Sequence, residues 1–169
     1  MFAFDVFGTV VDWRTNVARE SATFLATIDR GDIDPAAFAD AWRFRYISTM
    51  ASYKGAGSPL VTLDVLHREM LNATLQVHGT DLATFDETLL QDWNRAWHRL
   101  DPWPDSLAGL SCLKAHYPAV ALSNGNVALI LAMAKRAGLR CDPWCGIQPC
   151  LQARSPRLPR YRRGTGNCT

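Results

Sequence analysis

The chain opens with Phe2-Ala3-Phe4-Asp5-Val6-Phe7-Gly8-Thr9-Val10-Val11-Asp12, an apolar run that stops at Gly8-Thr9. A short continuous apolar stretch ended by a glycine predicts a buried parallel strand. Such a strand delivers Asp5 to the sheet edge where open α/β folds bind their ligands. From about residue 15 to residue 99, apolar side chains recur three and four positions apart, as in Phe38, Trp42, Tyr46 and Met50, or Leu63, Leu66, Met70 and Leu71. That period predicts helices. Gly31 with Asp32–Pro35, then Gly55–Pro59, then Gly79–Asp81 divide the region into several of them.

After Asp101-Pro102-Trp103-Pro104-Asp105-Ser106 the pattern predicts a helix to about His116 and a buried strand, Ala119-Val120-Ala121-Leu122. The loop Ser123-Asn124-Gly125-Asn126 follows, and then a last helix with Gly138 as its C-cap. The order is strand, long helical insertion, helix, strand, helix: an α/β class with a parallel sheet interrupted after its first strand. No internal repeat or low-complexity segment is evident.

The 169 residues are 48% hydrophobic and 20% charged, a composition that excludes disordered and collagen-like chains. No apolar run reaches the roughly 18 residues of a membrane span, and the first residues lack the basic-then-apolar order of a signal peptide. A soluble, cytoplasmic protein without a membrane partner is therefore expected.

The net charge of +2 conceals a break at Arg140. Residues 1–139 carry −3, whereas 140–169 carry +5, with six arginines, Cys141, Cys145, Cys150, Cys168 and four of the nine prolines. A basic nucleic-acid arm, a cysteine-based metal or disulfide unit, and a stretch read out of frame are the competing explanations. The cysteine spacings lack paired CxxC knuckles, which argues against zinc. Clustered arginines bind phosphate backbones without specificity, so no specific nucleic-acid partner is expected. His67, His78, His98 and His116 show no ligand spacing and are expected at the surface or in helix packing, and Cys112 as a core thiol.

Asp5, fixed beside a glycine turn, can approach a substrate and attack it, although a carboxylate after a strand also serves as an ordinary turn residue. Thr9, four positions on, can orient that carboxylate or cap a turn. Ser123 and Asn124 end the second strand at the same sheet edge, where a hydroxyl and an amide can bind a carboxylate or oxyanion.

These features together resemble the haloacid dehalogenase-like superfamily, and within it the type II 2-haloacid dehalogenase branch. The resemblance is carried by Phe4-Asp5-Val6-Phe7-Gly8-Thr9-Val10, Ala41-Trp42-Arg43, Asp101-Pro102-Trp103-Pro104-Asp105-Ser106 and Leu122-Ser123-Asn124-Gly125. It implies a Rossmann-like core at 1–13 and 99–139, a helical cap at 14–98 and a tail, 140–169, that is unstructured and leaves the core C-terminally truncated. It further implies Asp5 as nucleophile, Thr9 holding its carboxylate, Ser123 and Asn124 on the substrate carboxylate, and Arg43 over the leaving halide. Neighbouring Arg45 leaves that last assignment open by two positions. Phosphatases of the superfamily carry a second Asp where this chain has Phe7, and that acid protonates the leaving oxygen while the acid cluster holds Mg2+. Phe7 can do neither and instead suits an apolar pocket, so no metal or cofactor is expected.

The implied reaction displaces halide from a short 2-haloacid through an ester on Asp5, which water then hydrolyses. A homodimer is compatible with this reading. The alternatives are a hydrolase of the same fold acting on another small substrate, and an inactive fragment. The family's water step uses a Tyr-Lys-Pro-Asp segment and a later serine, asparagine and aspartate loop, neither of which occurs in this sequence. Codon degeneracy bears on the frame: one set of codons for the segment from Arg140, read one nucleotide later, encodes AEFSHAYKPDPRVYLDTA, which contains the missing motif. Sequencing the coding DNA across Leu139–Arg140 is expected to give codons that yield this run. Codons that cannot yield it would reject the frame shift.

Overall fold

A computed structural model describes residues 2–53 and 61–138. The tail at 140–169 and the expected helix boundary at Gly55–Pro59 lie outside the described residues. The element order is β1 (Phe2–Phe4), α1 (Trp13–Thr27), α2 (Pro35–Phe44), α3 (Tyr46–Ser52), α4 (Leu63–Val77), α5 (Glu87–Asn94), α6 (Ser106–Lys114), β2 (Ala119–Ala121) and α7 (Val127–Arg136). Single 3-10 turns at Leu82–Thr84 and Arg95–His98 flank α5. The fold class is mixed α/β, dominated by helices, with a parallel sheet.

That sheet, among the described residues, is β1 beside β2 in parallel, with Phe2 opposite Ala119 and Phe4 opposite Ala121. The Phe2 N–H donates to Pro118 O at 2.9 Å and the Leu122 N–H to Phe4 O at 2.7 Å, so the pairing is closed at both ends. Asp5 and Ser123 consequently leave the sheet at one edge, as parallel strands require.

Helix starts follow their caps. Asp12 accepts from the Thr15 N–H before α1, and Asp34 accepts from the N–H groups of Ala36 and Ala37, with Pro35 as the first residue of α2. The Phe38-to-Met50 periodicity does not make one helix. Arg45 ends α2 and begins α3, so the helix is broken between Phe44 and Tyr46. Gly138 adopts φ +63 just beyond α7, the cap conformation expected of it. Cys112 corrects another expectation: it is exposed. Leu110 faces inward on α6, and a residue two positions on lies about 200° round the helix from it.

The core sits among the helices. Trp42, Trp93, Trp97 and Phe38 are buried, and Trp93 is sandwiched between Phe24 at 5.2 Å and Phe38 at 5.1 Å, both stacked. Its indole N–H donates to Ser21 Oγ at 3.3 Å. A polar tie joins this layer to α7: Asp64, in the first turn of α4, accepts from Asn126 at 2.9 Å and contacts His98 Nε2 at 2.8 Å. Burial opposes charge on Asp64, but these two partners outweigh it and hold the carboxyl below its usual range. Truncating Trp93 to Ala is expected to destabilise the chain by about 3–5 kcal/mol through the cavity it opens, measurable by urea denaturation.

Candidate active site

The turn after β1 is built around Gly8. Its N–H donates to Val11 O at 3.0 Å, and the N–H groups of Val10 and Val11 both return to Val6 O. Gly8 has φ +82, while a Cβ there would meet Trp13 only at ordinary contact, so backbone conformation rather than space selects glycine. The Asp101–Ser106 segment braces this turn. Trp103 donates its backbone N–H to Val10 O at 3.0 Å and its indole N–H to Gly8 O at 3.2 Å, and the Asp12 N–H donates to Asp101 O at 3.1 Å.

Within this turn Thr9 Oγ1 donates to Asp5 Oδ2 at 3.2 Å, a contact that matches one of the two roles its spacing left open. Both side chains are exposed. Phe7, two residues on, meets Trp97 edge to face at 6.2 Å. Phe7, Arg43, Tyr46, Leu63, His67, Trp97 and Asn124 line one cleft, partly open to solvent, with room inside for about one water molecule. Three of the six residues singled out from sequence therefore share a cavity, and two more, Asp5 and Thr9, are bonded to each other.

Arg43, not Arg45, lines this cleft. Its guanidinium lies 4.3 Å from the Tyr46 ring centre and 6.0 Å from that of Trp13, and it forms no salt bridge among the described residues. Burial lowers its pKa, against which Tyr46 and the Asp5 carboxylate favour the charge. A half-buried guanidinium on aromatic faces, electrostatically coupled to Asp5, is suited to a small anion. Asn124 donates its amide to Tyr46 Oη. Ser123 turns onto its own loop, where its Oγ accepts from the Gly125 N–H at 3.4 Å, and it does not line the cleft.

Sequence reasoning did not single out Tyr46, Leu63, His67 or Trp97 as cleft residues. The spacing carried a signal: Tyr46 is three positions after Arg43, and His67 is four after Leu63 on the apolar face of α4. His67 is 2% exposed and stacks on Trp97 at 4.3 Å. His98 bonds Asp64, while His116 is exposed. Among the described residues no group of three or more His, Cys, Asp or Glu side chains is arranged to hold a metal, and no helix is long and apolar enough to cross a membrane.

Burial depresses the His67 pKa to about 3, with Asp64 opposing and Arg43 reinforcing the shift. The native imidazole is thus neutral where an unfolded one, with a pKa near 6.5, takes up a proton. Its contribution to stability is complete above about pH 6.5 and is lost as pH falls towards 3, at up to roughly 1.4 kcal/mol per pH unit. Urea denaturation at about pH 7 and pH 5 is expected to show a larger acid loss for the wild type than for His67→Leu.

No family model matches the chain, and no curated protein matches it significantly. Solved structures do match. A defluorinating L-2-haloacid dehalogenase is 47% identical, with a TM-score of 0.78 over 83% of this chain and 57% of its own. A second L-2-haloacid dehalogenase is 42% identical, with a TM-score of 0.69 over 83% and 59%. The L-2-haloacid dehalogenase of Xanthobacter autotrophicus is 29% identical, with a TM-score of 0.62 over 82% and 53%. The chain thus spans little more than half the length of these relatives, and over the residues matched it is similar in sequence and fold to L-2-haloacid dehalogenases.

Proposed function

We propose that the chain carries the ester-forming half of a hydrolytic 2-haloacid dehalogenase. The observation that carries this reading is the Asp5–Thr9 pair at the end of β1, with Asp5 electrostatically coupled to an Arg43 that lines an aromatic cleft with Phe7 and Asn124. In this reading residues 1–13 and 99–139 are the core, residues 14–98 the cap, and the reacting centre lies between them.

An Asp5 carboxylate oxygen attacks the α-carbon of a short 2-haloacid, forming a C–O bond as the carbon–halogen bond breaks. The halide leaves with the bonding pair. Thr9 holds the other carboxylate oxygen and so restricts the nucleophile to one orientation. Arg43 stabilises the negative charge that develops on the departing halogen, an interaction stronger in the transition state than in the ground state. Ser123 and Asn124 receive the substrate carboxylate, which requires the Ser123 hydroxyl to turn from its loop contact. A solved structure of the Xanthobacter autotrophicus enzyme with chloropropionic acid covalently bound supports an ester intermediate.

Hydrolysis of the ester needs a water polarised by a base or an acid pair. This sequence lacks the Tyr-Lys-Pro-Asp segment and the later acidic loop to which the resemblance assigns that role. The reading therefore gives a chain that releases halide and stalls. With 2-chloropropionate, chloride release is expected to plateau at about one per chain, and Asp5→Asn is expected to abolish it. Continuous release would overturn the stalled second half, and the absence of any release would favour an inactive fragment.

A further inference from the structure

Asn126 stands immediately before α7, where an asparagine ordinarily caps the helix by accepting an N–H from its first turn. Its side chain makes no such bond. The amide instead donates to Asp64 Oδ2 at 2.9 Å, and its own Oδ1 is left buried without a partner among the described residues. A forgone cap and an unpaired buried oxygen both cost stability. The side chain of Asn126 therefore serves the contact with α4 and not the start of α7.

Asp64 is held in place for that contact. Its Oδ1 meets His98 Nε2 at 2.8 Å, and its backbone O accepts from the Asn94 amide at 2.8 Å. Its position in the first turn of α4 also puts a carboxylate where a helix end favours one. The tie in turn holds the loop Ser123–Asn126. On one side of Gly125, Asn124 donates to Tyr46 Oη on α3; on the other, Asn126 donates to Asp64 on α4. Gly125 itself is buried against α7, where a Cβ would lie 3.0 Å from Ile130 Cγ1. A displacement of Asn126 is not absorbed at so confined a residue and passes on to Asn124 and Ser123.

We propose that Asp64 is a positioning residue for substrate binding: through Asn126 it fixes the loop whose Ser123 and Asn124 receive the substrate carboxylate, and it acts on affinity without acting on the displacement at Asp5. The proposal rests on the dehalogenase reading for the role of Ser123 and Asn124, and adds to it a residue that touches no substrate. A hydrogen bond to an ionised group is stronger than one between neutral groups, so of the two bonds between this loop and the helical layer, the one on Asp64 is the firmer anchor.

The test uses variants of the full chain that separate position from stability. Asn126→Ser removes the tie but supplies a hydroxyl that caps α7. Asp64→Ala removes the carboxylate from both of its side-chain partners. Asp64→Asn keeps the shape, with an oxygen for Asn126 and an NH2 for His98 Nε2 once that ring takes the tautomer protonated at Nδ1. Each would be compared with the wild type for chloride release from 2-chloropropionate within the first turnover, for binding of unreactive propionate by NMR titration, and for thermal stability. Asn126→Ser and Asp64→Ala are expected to raise both the half-saturating 2-chloropropionate concentration and the propionate Kd roughly tenfold, the worth of one hydrogen bond to a charged group. Their limiting rates should stay within about twofold of the wild type, since only binding is lost. Asp64→Asn is expected to recover most of the affinity, and Asn126→Ser to melt no lower than the wild type.

Propionate binding with this order of affinities, but no chloride release, would sustain the positioning role and remove the dehalogenase reading. Chloride release with equal affinities in all four chains would overturn the positioning role alone, as would a loss confined to the limiting rate or affinity losses that merely follow melting temperature. A wild-type chain that neither binds propionate nor releases chloride would overturn both.

Discussion

The parallel register of β1 on β2 is the constraint on which the proposed site depends. With Phe4 opposite Ala121 and the Leu122 N–H on Phe4 O, Asp5 and Ser123 emerge together at one sheet edge. A slip of one residue would turn every side chain of one strand to the other face and separate the two. The described pairing is only three residues long on each strand. The turn after β1 therefore needs its own bracing, supplied by Trp103 and Asp101 across the Gly8–Asp12 backbone.

The helical layer holds the other side of the cleft by different means. Stacked aromatic rings around Trp93 and Trp97 fill its interior, and their burial is the larger stabilising contribution. The Asp64 carboxylate then fixes position: it joins α4 to the turn after α5 and to the loop that enters α7. That loop carries Asn124, whose amide reaches Tyr46 on α3. A polar tie inside an aromatic layer contributes less energy than the layer itself, but it anchors Asn126 in the loop that also carries Asn124.

The parallel strand pair, the helix breaks at Gly31 and Gly79 and the Asp5–Thr9 contact were legible in the sequence, because each rests on local rules of period, turn chemistry and spacing. The helix break at Arg45 was not legible, since Phe38, Trp42, Tyr46 and Met50 keep an unbroken helical period across it. The cleft roles of His67 and Trp97 were hidden for a related reason. An aromatic or histidine on an apolar helix face reads as packing, and these residues do pack. Only their placement in three dimensions shows that they also line the cleft. Cys112 shows the converse: an apolar-looking helix predicted burial, but tertiary contact left that face of α6 open.

The central claim is that Asp5 attacks a 2-haloacid and remains esterified in this chain. It is tested most directly by incubating the full chain with 2-chloropropionate, digesting it and locating any added mass by tandem mass spectrometry. The account predicts a propionate adduct on Asp5. An unmodified Asp5, or an adduct on another side chain, would contradict it.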